Sequence, residues 1–200
     1  MLSGFLAFLG ILIVVLLVLA FVVVGMYNGL VTLRNAFRNA FAQVDVQLKR
    51  RHDLIPNLVE TAKGYLAHES GTLTAVIEAR AKATQANVRL SANPNDPAAM
   101  RDVLQAESGL SGALGRLMVV SENYPQLKAD AQMRALMEEL TSTENRIAFA
   151  RQAYNDAVLA YNNGRETFPQ VLVANTFGFV PADFFKVENE AERAAPSVKF

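Results

Sequence analysis

The sequence predicts an all-α protein: a single N-terminal transmembrane helix that continues into a long antiparallel up-down bundle of about four helices. Three observations predict it. The first charged side chain is Arg34, and Phe5 to Val24 is apolar throughout, relieved only by Gly10 and two alanines. Beyond Val24 the apolar residues recur at steps of three and four, the period of helices packed on one another. No alternating apolar and polar stretch of the kind a half-buried strand needs appears before Phe168.

The apolar run comes first. As a helix it spans about 30 Å, the thickness of a bilayer's hydrocarbon core. A cleaved signal peptide needs a basic start, a shorter apolar core and small residues at the cleavage point. Met1-Leu2-Ser3-Gly4 carries no Lys or Arg, Ala20-Phe21-Val22 is a poor cleavage site, and no cysteine follows for lipid attachment. The reading is an uncleaved anchor, with residues 1–4 as an outside tail and 5–26 as the transmembrane helix. Flanking Lys and Arg favour the cytoplasmic side. Arg34 and Arg38 follow the run and none precedes it, so the N-terminus is expected outside and the body in the cytoplasm. Tyr27, Arg34 and Arg38 are the expected membrane-surface contacts, a ring at the bilayer edge and two cations toward anionic headgroups.

Residues 27–168 then read as one cytoplasmic helical bundle, long enough for a real core. Its first helix carries Leu30, Leu33, Phe37, Phe41, Val44, Leu48, Ile55, Leu58, Ala62 and Tyr65 at helical spacing and runs to about Ala67. Pro56 interrupts it, which predicts a kink near His52–Pro56. The second helix runs from about Ser70 to Ser91, with Leu73, Val76, Ile77, Ala83 and Val88 inward. Asn93-Pro94-Asn95-Asp96-Pro97 breaks the chain, and Asp96 before Pro97 is a strong helix start. The third helix reaches Tyr124. The fourth runs from near Asp130 to about Arg165, with Met133, Leu136, Leu140, Ile147, Tyr154, Val158 and Tyr161 on one face. Residues 169–200 form an irregular segment covering the membrane-proximal end, aromatic-rich at Phe177-Gly178-Phe179 and Phe184-Phe185.

Helix lengths carry a further expectation. The first helix extends roughly 65 Å beyond the anchor and the fourth roughly 54 Å, while the second covers about half the first. Four helices therefore pack far from the membrane and only two near it. Two helices cannot bury both apolar stripes, so Phe37, Phe41, Val158 and Tyr161 are expected to be partly exposed and to mediate self-association.

Charges also fall on the inward seam. Arg51, Arg80, Glu107, Glu144 and Arg151 sit at core spacing, and buried charges must be paired. They predict an interhelical charge network that sets helix register. Gly109, Gly112 and Gly115 lie three apart in the third helix, which suggests close backbone packing or a groove for a partner helix. Lys49-Arg50-Arg51 reads as a solvated face plus one inward arginine.

Composition excludes several function classes. Lys plus Arg is 19 and Asp plus Glu is 19, so nothing points to nucleic acid. With no cysteine there are no disulfides and no thiolate metal sites. His68-Glu69 starts like a zinc-protease motif, but the second histidine is missing, and His52 and His68 lie over four helical turns apart. No carboxylate–histidine spacing suits acid–base chemistry. The expectation is no catalytic residue, no metal site and no cofactor.

Several stretches together resemble the LemA family of bacterial membrane proteins. They are Tyr27-Asn28-Gly29-Leu30-Val31, the run from Val44 through Arg51-His52-Asp53-Leu54-Ile55-Pro56 to Val59, Ser121-Glu122-Asn123-Tyr124-Pro125, Glu144-Asn145-Arg146-Ile147, Tyr154-Asn155-Asp156-Ala157-Val158, Tyr161-Asn162 and Phe168-Pro169. The resemblance covers nearly the whole chain in order. It implies a short outside segment, one helix in the bacterial inner membrane and an antiparallel helical cytoplasmic domain, in a family not known as an enzyme family and with no agreed biochemical role. One branch of the family is linked to magnetosome membranes. The function expected is a non-enzymatic membrane-anchored scaffold that self-associates, with the bilayer and other copies as partners. The alternative is an adaptor or regulator of another membrane protein such as a protease or sensor, with the glycine row and Lys49–Arg51 as its contacts.

Overall fold

The computed structural model describes residues 2–66, 69–94 and 96–185, with side chains from Phe5 onward. His68 and residues 186–200 lie outside the described residues. Six helices follow in order: α1 (Leu2–Lys63), α2 (Ser70–Ala92), α3 (Pro97–Ser121), α4 (Pro125–Ala129), α5 (Ala131–Glu166) and α6 (Gln170–Thr176). No strand occurs among the described residues.

α1 is 62 residues long, about 93 Å at 1.5 Å per residue. Its first part is long and apolar enough to cross a membrane. Every residue from Phe5 to Val24 is exposed, and Leu30 is the first one fully buried. The helix continues through Pro56 rather than restarting there. Proline has no N–H, so it leaves the carbonyl four residues earlier, that of His52, without its helical partner. Arg80 of α2 fills the gap, its Nε donating to the His52 carbonyl at 2.6 Å. Buried Arg51, His52, Ile55, Leu58 and Val59 hold the same stretch from the core side, while Pro56 faces solvent.

The other boundaries have local causes. Asp96 caps α3 by accepting from Ala98 N at 2.9 Å, with Pro97 in the first turn. α3 ends at Ser121 rather than Tyr124, because the residue before a proline is driven out of the helical region. Pro125 then starts the one-turn α4, and Asp130 caps α5 by accepting from Met133 N at 2.8 Å. Residues 170–176, expected to be irregular, are helical.

α5 packs along α1, α2 packs on α3, and α2 joins the pairs by packing on α1. α5 runs antiparallel to α1, with Tyr154 against Phe41 and Tyr161 against Phe37. At Gly164 the two helices are so close that a Cβ would meet Leu33 Cδ1 at 2.6 Å. The inward row of α2 is Leu73, Val76, Ala83, Ala86, Asn87 and Leu90. Ile77 and Val88, read as inward, are exposed. The seam is displaced because it carries polar residues, Arg80 and Asn87, that hydrogen-bond to α1.

The core has a distal and a proximal part. The distal part gathers Ile55, Leu58, Val76, Leu110, Leu117, Leu127 and Leu140 from α1 through α5. The proximal part joins Leu30, Phe37, Phe41, Tyr154, Val158 and Tyr161 to Val173, Phe179 and Phe185 of the C-terminal region. The expected exposure near the membrane is therefore corrected. Phe37, Phe41, Val158 and Tyr161 are only 2%, 4%, 0% and 2% exposed. α6 and the non-helical segment 177–185, termed the strap, supply the missing third wall.

Candidate functional site

The strap is fastened to α5 by two Tyr-Asn pairs seven residues apart, so both face the same way. Tyr161 Oη donates to the Val180 carbonyl at 2.8 Å, and Tyr154 Oη donates to the Asp183 carbonyl at 3.0 Å. Asn162 donates to the Ala182 carbonyl at 2.9 Å and accepts from Ala182 N at 3.0 Å. Asn155 does the same to Phe185, at 3.3 and 2.7 Å. The amides thus pair with the strap as a neighbouring β-strand would. Burial, then the charge of Asp183, pushes the Tyr154 hydroxyl up to about 12. Burial also raises Tyr161, against the opposing charges of Arg34, Arg165 and Arg38. Both hydroxyls therefore stay protonated donors at ordinary pH.

The lower end of this assembly meets the membrane exit of α1. The Tyr27 ring lies edge-on to Phe177 and Phe179, centroids 5.1 and 5.5 Å apart. The Arg34 guanidinium sits 5.1 Å above the Phe179 ring. Of the three expected membrane-surface contacts, Tyr27 and Arg34 are half-buried under the strap, and Arg38 is exposed.

A second polar site lies in the distal bundle. Arg51 of α1, 1% exposed, donates to Glu107 of α3, also 1% exposed. It also donates to Glu144 of α5 at 2.6 Å and to Ser111 at 3.3 Å. The His52 ring is 2.8 Å from the other Glu107 oxygen. Burial raises the Glu107 carboxyl pKa, but the His52 hydrogen bond, the Arg51 charge and the His52 ring together outweigh it and hold it below the ordinary carboxylate value. One buried carboxylate therefore ties α1 to α3, and Arg51 carries the tie on to α5.

Of the five charges expected in one network, Arg51, Glu107 and Glu144 are joined directly. Arg80 reaches it only through the His52 carbonyl, and the Arg151 guanidinium instead lies 4.8 Å above the Phe185 ring. Glu144, expected inward, has a half-exposed side chain (52%) at the bundle edge. His52 was the missed member, although its place beside Arg51 between Leu48 and Ile55 puts it on the seam.

The other candidate surfaces also change. Arg50 pairs with Glu139, and Lys49 with Asp45 at 2.7 Å, so the basic run is engaged within the chain. A Cβ added at Gly109, Gly112 or Gly115 meets nothing within 4 Å, so among the described residues the row packs against no other part of the fold. Gly109 instead lines an open groove of about 660 Å³ between α2 and α3, floored by Ala79, Ala106 and Ala113 and rimmed by Glu78, Lys82 and Arg116. Replacing all three glycines by alanine should stabilise the protein by roughly 1–3 kcal/mol, because alanine loses less chain entropy on folding. A thermal melt checks this, and a lowered midpoint would show that the row does pack against the fold.

A profile of the LemA family matches residues 40–200. The chain is 28% identical over 175 residues to magnetosome protein MamQ 2 of Paramagnetospirillum magneticum, a match covering 80% of this chain and 64% of that protein. It is 26% identical over 174 residues to magnetosome protein MamQ of Magnetospirillum gryphiswaldense, again covering 80% and 64%. It is 25% identical over 173 residues to protein LemA of Metamycoplasma hominis, covering 86% and 74%. The chain thus spans just under two thirds, 64%, of the length of the magnetosome relatives it matches. The long apolar helix and these relatives together mark a membrane-associated helical protein.

Proposed function

Because the chain belongs to the LemA family, we propose that it is a non-enzymatic scaffold of the bacterial inner membrane, anchored by α1 with its bundle in the cytoplasm, that assembles with further copies of itself. The observation that carries this reading is the unbroken helix from Leu2 to Lys63. The membrane span and the central strut of the bundle are one continuous helix, so no flexible linker separates the bundle from the bilayer. Such a part holds other things in place. Arg34 and Arg38 on the body side of the span support the cytoplasmic placement.

Self-association through Phe37, Phe41, Val158 and Tyr161 is not part of the proposal, since the strap covers them. The outer face of α3 is the surface that supports assembly. Its three glycines each cost up to about 1 kcal/mol of helix stability relative to alanine, with no compensating contact among the described residues. The same observation favours a second reading, an adaptor that receives a helix of another membrane protein there.

The mass of the full-length protein, gently extracted with its co-purifying chains identified, separates the two. A large uniform complex of this chain alone is expected for the scaffold. A small complex with one stoichiometric second protein would replace that reading with the adaptor, and a monomer would overturn both.

A further inference from the structure

We propose that Phe168, Leu172 and Phe177 form a second lipid contact, seated in the interfacial layer of the same bilayer that α1 crosses. The inference rests on α1 as the membrane anchor and adds a site to it.

Depth is the first argument. α5 descends toward the membrane beside α1, and Gly164 lies against Leu33 and Leu30. The α5–α6 turn follows within four residues, which brings Phe168 down to about the level of Met26 and Tyr27 at 1.5 Å per residue. Phe177 is placed directly, its ring 5.1 Å from that of Tyr27. Tyr27 is three residues past Val24, a rise of about 4.5 Å. The headgroup layer on each side of the hydrocarbon core is about 5–8 Å thick. Phe168 and Phe177, which with Leu172 of α6 between them form the rim of this end, therefore sit inside that layer.

Chemistry is the second argument. Phe168, Leu172 and Phe177 are 77%, 60% and 55% exposed. The opposite face of α6 is already occupied, with Val173 and Ala174 buried in the proximal core. α6 thus presents apolar side chains both inward and outward, which a water-facing helix does not do. From Thr167 to Ala182 the chain has no charged residue, while Arg165 and Glu166 lie just before this stretch and Asp183 just after. Half-buried Arg34 and exposed Arg38 stand farther up α1, about 15 and 21 Å past Val24 and so on the water side of that layer.

Continuity selects the occupant. The rim adjoins the exposed apolar surface of α1 that ends at Val24. A bilayer that covers one reaches the other, whereas a second copy would have to cover the rim alone. Interfacial helices bury their apolar side about 5–10 Å into the headgroup and acyl boundary, and α6 lies at that depth.

The chain contains no tryptophan, so single tryptophans report position without background. Leu172→Trp, Leu17→Trp in the span and Val119→Trp on the distal end of α3 are each introduced into the full-length protein. The variants are reconstituted in phosphatidylcholine–phosphatidylglycerol vesicles whose acyl chains are brominated near the headgroup. Leu172→Trp is expected to emit at short wavelength and lose most of its emission to bromine, while Val119→Trp keeps its own. If Leu17→Trp is quenched and Leu172→Trp is not, the anchor stands and the second contact is wrong. If neither is quenched, the anchor falls and the proposal with it. A short-wavelength Leu172→Trp signal that resists bromine and shifts red as the protein is diluted with lipid would assign the rim to a second copy. Phe177→Trp, which keeps an aromatic ring against Tyr27, repeats the test should Leu172→Trp misfold.

Discussion

Glu107→Ala is expected to destabilise the bundle by about 3–5 kcal/mol, the usual cost of breaking a buried ion pair from one side. In a protein of this size that lowers the melting midpoint by roughly 10 °C. The cost comes from what stays behind. Arg51 is 1% exposed and cannot lose its proton, and the change removes its fully buried acceptor along with the partner of His52. Glu144 remains, but it is half exposed and reaches only one edge of the guanidinium. Arg51→Met combined with Glu107→Leu should recover most of the loss, because removing both charges leaves no ion buried alone. Thermal melts of the full-length protein, followed by far-UV circular dichroism, read both results. A midpoint shift under about 2 °C for Glu107→Ala would mean that the carboxylate contributes little, since each kcal/mol moves it by at least that much.

The same residue makes a prediction about pH. The folded Glu107 carboxyl titrates below its ordinary value of 4.5. Its contribution to stability is therefore complete above that value and is lost as pH falls through the lowered one. The gap between the natural protein and Glu107→Gln should be flat near neutrality and close under acid conditions. Arg51, His52, Arg80 and Glu144 border the site from α1, α2 and α5. A gap that changed with pH well above 4.5 would show that the Glu107 carboxyl is not the group responsible.

How far these features were legible in the sequence depends on the kind of signal each leaves. Long apolar rows at steps of three and four showed the helices, because burial repeats with every turn. The same rows located Arg51 and Glu107, since a charge at a core position stands out against them. Glu144 misled because the edge of a seam and its centre share one spacing. The Arg80 contact was hidden for another reason. That Pro56 frees the His52 carbonyl follows from sequence, but which side chain fills the gap depends on the register between α1 and α2. That residues 169–200 cover the membrane-proximal end is the expectation from sequence, but how the strap is fastened was hidden most completely. A non-helical segment of mixed residues has no period, and Asn155 and Asn162 face it from the side of α5 rather than from its apolar row. Its aromatic residues at 177, 179, 184 and 185 marked the segment, and the Tyr-Asn pair repeated at seven residues marked its fastening.

Removing that repeat should release the strap. Asn155→Ala with Asn162→Ala deletes four hydrogen bonds to the backbone of Ala182 and Phe185. At about 0.5–1.5 kcal/mol each, the loss is roughly 2–6 kcal/mol. What remains is the burial of Phe179 and Phe185 and the two tyrosine hydroxyl bonds, and full burial of a phenylalanine contributes about 1.5–3 kcal/mol. The hydrogen bonds and the burial are thus of similar size, and losing the first leaves the strap open for a measurable part of the time. Hydrogen exchange at the Ala182 and Phe185 amides reads this directly, since in the natural protein both donate to asparagine. The exchange should speed up there while the amides of α1 beside Ile55 keep their protection. An open strap also uncovers Phe37, Phe41, Val158 and Tyr161, so the double variant should bind more hydrophobic dye and extract as larger particles than the natural protein. Tyr161→Phe is the graded control, losing one bond, about 1 kcal/mol, while its ring keeps its place 5.0 Å from Phe37. If Ala182 and Phe185 stay protected in the double variant, the aromatic contacts alone hold the strap and the Tyr-Asn pairs do not fasten it.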